Sequence, residues 1–505
     1  MYDVICLKSL KLKCLFRLPS FLARIQTKFA GCRPVSGQGC LVRPSKHLMG
    51  LHRLVFVILF LWLQGCAMHQ KQMNQLVGNL ENKDTQQVLL QLEKIQPKTR
   101  DRAQYLLNRG MLKSLAGDIS GSNQDWQEAK QIIESLLAVS VTENLSSVSV
   151  NETYRSYTGS PSERVLLHLL LVQNYLRQED LDGARVEVLQ ASVTMQALQD
   201  GGDPRELASM HFVSGMVYEI NREYDNALIS YRRAFQSLNA SQQRIPEALQ
   251  ISLLKLSAQP GFEEEHEGYL ERFDRALLEQ ASLTGKADVF VLYFDGTVSQ
   301  KYSNNLSMYA PGAQQVVSLA LPAYPRQTKP IYHLHIEGRD VNYRTQSLEG
   351  IDSLLRQDLK QEMPALTATA LARATVKYQS VKAAHNENDM AGALMNVFTL
   401  LSETADIRSW NTLPASLQVA RLALEPDDLA ALHFEGSRSE LLPNLVSFNP
   451  QQFVAITSSL VSKPTSITIP EVEPEAEIKD KAQDMLEDVL DEHTLSDAEE
   501  SVETP

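Results

Sequence analysis

Cysteine is almost missing where it would matter. Four of the five, Cys6, Cys14, Cys32 and Cys40, fall in the first 48 residues, and none follows Cys66. A lone thiol cannot close an internal disulfide, so the chain beyond residue 65 must be held by its packed core even in an oxidising compartment. Long apolar runs are missing too. The ten residues Leu54 to Leu63 fall short of the roughly 20 that a spanning helix needs, and a mean hydropathy of -0.22 excludes a multi-span membrane protein. Glycine and proline, 23 and 21 residues, are too few for a collagen-like chain, and 43% apolar content excludes wholesale disorder. Catalytic signatures are equally scarce: there is no G-x-S-x-G elbow, no P-loop, no glycine-rich turn after a strand and no His-Glu-x-x-His. Carboxylate-based enzymes leave little mark in one sequence, so these absences point away from a reaction without naming one.

The length of 505 residues suggests two or three domains. Residues 1–48 carry nine Lys or Arg and a single acid, Asp3; a basic head, Met49 to Arg53, then precedes the apolar run and Gln64-Gly65-Cys66. That order is the export pattern. Leu63-Gln64-Gly65-Cys66 resembles the lipobox of bacterial lipoproteins, with Gln64 where a smaller residue is usual. The resemblance implies lipidation of Cys66 as the new N-terminus, residues 49–65 as the signal peptide and residues 1–48 as a non-native N-terminal extension. Two or three acyl chains hold a protein durably to a leaflet. Ala67 in place of the Asp that retains lipoproteins in the inner membrane implies the outer membrane, facing the periplasm. From Cys66 onward 38 basic residues face 60 acidic ones, a net -22, which disfavours nucleic acid and favours basic partners.

Residues 66–284 read as an all-α array resembling tetratricopeptide (TPR) repeats. Gly215, Tyr218, Tyr224, Ala227, Tyr231 and Ala234 place small and aromatic residues at the TPR offsets. The frame recurs with Tyr175, Ala184, Val188 and Ala191, and again with Gly110, Ser122, Trp126 and Ala129. The equivalent positions 110, 172 and 215 are unevenly spaced, which makes this a degenerate array with insertions. Ser140 to Thr158 reads as a loop, and Ser160-Pro161-Ser162-Glu163 as a helix start. Helices are expected at Pro246 to Ala258 and Glu265 to Leu283, with Glu263 to His266 a polar loop. The concave face of such an array binds peptides or proteins, and Gln173, Arg177, Met216 and Glu219 are the expected partner-binding residues.

Residues 285–461 read as an α+β domain. Strands are expected at Val289 to Phe294, Val316 to Leu321, Ile331 to Ile336, Leu429 to Phe434 and Phe453 to Ser458. Helices are expected at Leu348 to Asp358, Pro364 to Ala384 and Met390 to Ala405, and after Pro414 through Leu417, Ala420 and Leu424. Residues 462–505, with 14 acids, three lysines and no aromatic, form a disordered acidic tail in which Ala482 to Leu490 could fold on a partner. His333 and His335 share a strand face with Glu337, a spacing that would hold zinc only if a further ligand arrived from elsewhere; none is identified, and no metal or cofactor is expected. Arg408-Ser-Trp410-Asn-Thr-Leu-Pro414 reads as a packed corner, with Arg408 able to stack on Trp410.

The lipobox, Glu163-Arg164 with His168, Asn174-Tyr175-Leu176, Ala184 to Glu187 and Arg408 to Pro414 together resemble an uncharacterised family of TPR-bearing lipoproteins of Gram-negative bacteria, over about residues 49–460. The resemblance implies an envelope protein acting as a non-enzymatic scaffold for a periplasmic or outer-membrane protein. The alternative is a periplasmic enzyme or small-ligand binder with its pocket in the α+β domain. A third reading places the array beside an export complex.

Overall fold

The computed structural model describes residues 73–76, 78, 80, 84–142, 155–203, 206–282, 286–310, 315–339, 341–387, 404–436, 440–441 and 443–460. The chain divides into two compact units, Met1–Gly65 and Cys66–Pro505, and every described residue belongs to the second. The signal peptide, Cys66, the acidic tail and most of the expected helix from Met390 lie outside the described residues.

A short helix α1 (Thr85–Glu93) precedes helix pairs α2 (Arg102–Leu115) with α3 (Ile119–Thr142), α4 (Pro161–Arg177) with α5 (Leu181–Asp200), and α6 (Ala208–Ile220) with α7 (Tyr224–Ala240). Each pair reverses through one left-handed residue: Gly117 at φ 91°, Glu179 at φ 60° and Arg222 at φ 61°. The next N–H then bonds back five residues, Asp118 to Lys113, Asp180 to Tyr175 and Glu223 to Tyr218, the Schellman closure. These turns follow positions 110, 172 and 215 by the same offset, so the three units match despite their uneven spacing. Ser122, Trp126 and Ala129, then Ala184, Val188 and Ala191, then Ala227, Tyr231 and Ala234 occupy equivalent positions and are all fully buried. Glycine is needed at two close approaches: a Cβ on Gly215 would lie 2.6 Å from the Tyr231 ring, and one on Gly110 2.5 Å from Trp126. The α4 start is the expected capping box, Ser160 Oγ accepting from Glu163 N–H at 3.3 Å and the Glu163 carboxylate accepting from Ser160 N–H at 2.7 Å.

Beyond α8 (Glu247–Ser257), the single helix expected from Glu265 is broken. α9 (Glu263–Arg272) ends at Phe273, which is extended and stacks on Tyr269, and α10 (Leu277–Ala281) follows Asp274, whose carboxylate accepts from Ala276 N–H. Glu263 to His266 is the first turn of α9, where three glutamates complement the helix N-terminus.

The strands are β1 (Ala287–Asp295), β2 (Tyr302–Ala310), β3 (Gln315–Ala323), β4 (His335–Glu337), β5 (Asn342–Arg344), β6 (Gln346–Glu349), then, after helix α11 (Ile351–Glu387), β7 (Ser416–Leu424), β8 (His433–Glu435), β9 (Glu440–Leu441), β10 (Asn444–Asn449) and β11 (Gln452–Ser458). They form a five-stranded sheet in the order β10-β11-β1-β7-β6, with β1 and β11 parallel, a β2-β3 hairpin and a four-stranded sheet β5-β4-β8-β9. The five-stranded sheet is the middle layer. Phe290, Leu292, Phe294, Val454 and Ile456 join the helical core, while Val289, Val291, Tyr293, Phe453 and Ala455 pack with Leu334, Ile336 and Phe434 of the small sheet. Helices and sheet therefore share one core.

Five expectations change in this half. Strand β7 follows Pro414 in place of a helix, Pro426–Ala431 forms a 3-10 helix ahead of the short β8, the strand expected at Ile331 to Ile336 is confined to β4 so that His333 lies outside it, and Leu348 and Pro364 do not open helices. α11 runs unbroken through Pro364, whose missing N–H leaves the carbonyl of the exposed Lys360 without its intrahelical donor.

Candidate functional site

The residues expected to bind a partner lie on helices α4 and α6, and the chain itself covers them. Met216 and Glu219 are fully buried, and Met216 belongs to the core shared with the sheet. Glu219 accepts from Arg421 of β7 at 2.6 and 3.1 Å. Arg421 reaches Asp288 of β1 at 2.9 and 2.6 Å and Ser252 of α8 at 2.7 Å, so all five guanidinium N–H groups are used. Lys255 adds contacts to Glu219 at 2.8 Å and Asp288 at 3.0 Å, Tyr231 donates to Glu219 at 2.9 Å, and the guanidinium lies over the Phe290 ring at 4.2 Å. Burial opposes ionisation of Asp288, but Arg421 and Lys255 outweigh it and hold its pKa below the ordinary value. The four charges cancel at the contact between array and sheet, with Lys255 at its partly exposed edge.

Gln173 is buried on α4. Arg177 donates from Nη1 to Ser114 O at 3.0 Å and Ser114 Oγ at 3.2 Å, satisfying the C-terminal turn of α2; burial lowers its pKa to about 10.

Nearer α2 the occupant is the Arg408 to Pro414 segment, which has no regular structure and is buried along its length. Its main chain is gripped as a peptide would be: Gln104 donates to Ser409 O at 2.8 Å, Trp410 N–H donates to Glu163 at 2.7 Å, and Thr412 N–H donates to Asn108 Oδ1 at 3.2 Å. Trp410 meets Trp126 edge-on at 5.9 Å, and Trp410 Nε1 bonds Thr412 at 3.1 Å. Arg408 pairs with Asp101 at 2.9 Å and with Asp406, and lies over Tyr157 in place of Trp410.

An open cleft of about 640 Å³ lies between α5 and α7, on the array. Met195, Leu207, Leu238 and Leu354 give it apolar walls, and Gln199, Gln236, Gln243 and Gln357 bring amide side chains that bond to none of the described residues. Glu349, at the end of β6, is buried in its lining. It accepts from Ser209 N–H at 3.2 Å at the start of α6, where Leu207 offers no capping side chain, and burial raises its pKa. It forms no ion pair among the described residues. On the rim, Glu206 pairs with His211, which lowers the Glu206 pKa. Neither the Arg421 network nor this cleft was expected from sequence. The available signal was a charged residue at a core position of a strand, Asp288 and Arg421 alike.

No family model matches the chain, and no curated protein matches it in sequence. Solved structures similar to parts of it include MamA MSR-1 C2 (11% identity, 42% of this chain and 97% of that one, TM-score 0.27). BtubC (BKLC) from P. vanneervenii matches at 16% identity over 37% of this chain and 68% of that one, TM-score 0.25. The Rap conjugation gene regulator of plasmid pLS20, in complex with the Phr* peptide, matches at 15% identity over 54% and 64%, TM-score 0.24. The helix pairs and their closures, not these partial likenesses, define the fold described above.

Proposed function

We propose that this protein is a lipoprotein, acylated at Cys66 and held at the outer membrane facing the periplasm, that acts as a non-enzymatic scaffold for another envelope protein. The observation that carries the scaffold reading is the array's own grip on Ser409, Trp410 and Thr412: polar residues of α2 and α4 hold an irregular, turn-containing segment by its backbone. With that face filled from within, the partner docks in the cleft between α5 and α7. The partner we favour presents a basic segment: glutamine amides suit its main chain, Glu349 forms no ion pair among the described residues, Glu206 adds a second carboxylate beside the single described cation of the lining, Arg233, and the chain from Cys66 carries a net -22. Lipidation is checked by the intact mass of protein extracted from membranes. Docking is checked by affinity capture from detergent-solubilised envelopes, comparing the native chain with Gln199→Ala/Gln236→Ala. A partner with a basic segment, retained by the native chain and lost with the variant, supports the reading; equal retention by both defeats it.

A further inference from the structure

The sequence leaves His335 and Glu337 short of ligands, and strand pairing supplies them. β4 runs antiparallel to β8 with His335 opposite Glu435 and Glu337 opposite His433. On both strands the middle residue, Ile336 or Phe434, enters the core while its neighbours are exposed. All four side chains therefore stand on the outer face of the small sheet. Directly opposed residues have Cβ atoms about 5 Å apart, and residues two apart on a strand lie about 6.7 Å apart, so two imidazoles and two carboxylates occupy alternate corners of a small rectangle. An ion above its centre is within reach of ring nitrogens at about 2.0–2.1 Å and carboxylate oxygens at about 2.0–2.2 Å, the zinc distances. The flanking strand β5 adds Arg344 opposite His335 and Asn342 opposite Glu337. His333 stands apart, its Nδ1 bonded to the Thr345 carbonyl at 2.7 Å.

We propose that His335, Glu337, His433 and Glu435 form a surface site for a divalent transition-metal ion, taken here as Zn²⁺. Among the described residues no three such side chains converge as they stand, and His433 is already engaged in a contact, so the ion exchanges that contact and gathers its ligands by rotation of exposed side chains. This site is independent of the scaffold reading and of the cleft.

The test is isothermal titration of the purified, metal-stripped full chain with Zn²⁺, beside His335→Ala/His433→Ala and His333→Ala. One zinc ion per chain that the double variant loses, or binds about tenfold or more weakly, with His333→Ala unchanged, is the expected result. Equal binding by native chain and double variant, or no zinc bound by the native chain, overturns the proposal. These positions are exposed, and far-UV circular dichroism checks that each variant is folded.

Discussion

Replacing Arg421 with Met tests whether array and sheet are one folding unit. The substitution deletes five hydrogen bonds and leaves Glu219 and Asp288, both fully buried, with Lys255 as the one counter-charge of the network described and the Tyr231 hydroxyl still donating to Glu219. Removing one partner of a buried ion pair costs about 3–5 kcal/mol, and Arg421 neutralises two acids, so the upper half of that range is expected. The measurement is urea unfolding followed by far-UV circular dichroism and by tryptophan fluorescence, which sees Trp126 and Trp410 in the array core. The native chain should give one coincident transition; Arg421→Met should bring it to lower urea or split it, the sheet melting first. Replacing Arg421, Lys255, Glu219 and Asp288 together by apolar residues of similar volume should recover most of the loss, because no uncompensated buried charge remains. The pH dependence follows from Asp288: its folded pKa lies below its ordinary 3.8, so the stability it contributes is present above that value and lost as pH falls through the lowered one. An Arg421→Met loss under about 1 kcal/mol, or a fourfold apolar replacement no better than the single one, would refute the reasoning.

Gly215→Ala should cost about 1–3 kcal/mol by driving a methyl into the Tyr231 ring, read as a fall in the urea midpoint. Trp410→Ala should cost about 3–5 kcal/mol and loosen the α2–α4 groove, seen as faster amide exchange along α2. Glu187, deeply buried, is opposed by that burial, yet its bonds to His168 at 2.8 Å and Lys130 at 2.8 Å lower its pKa. Glu187→Gln should therefore cost about 1.5–3 kcal/mol at neutral pH. That gap should shrink in acid-unfolding curves as pH drops below the ordinary 4.5.

The helical units were legible because their packing is local. A small residue and its ring lie sixteen positions apart on two helices joined by a tight turn, as Gly110 with Trp126 and Gly215 with Tyr231, and the α4 capping box is written in four consecutive residues. β1 and β11 showed as short β-prone runs. β7 did not, since a strand buried on both faces shows no alternation and Leu417, Ala420 and Leu424 also fit a helical period. Phe273 breaks its helix through stacking that no local pattern announces. Gln173, Met216 and Glu219 lie on α4 and α6, and what covers such a face is decided by segments some two hundred residues away, as Glu219 with Arg421. The cleft is assembled the same way, with Glu349 reaching it from the far half of the chain.

The most direct measurement is photo-crosslinking in living cells, with a photoreactive residue replacing Gln236 at the cleft or Met216 on the filled face. Position 236 should give a discrete adduct of higher mass, carrying a peptide with a basic segment, and position 216 only intramolecular products. A partner adduct from 216, or none from 236, would contradict the proposed docking.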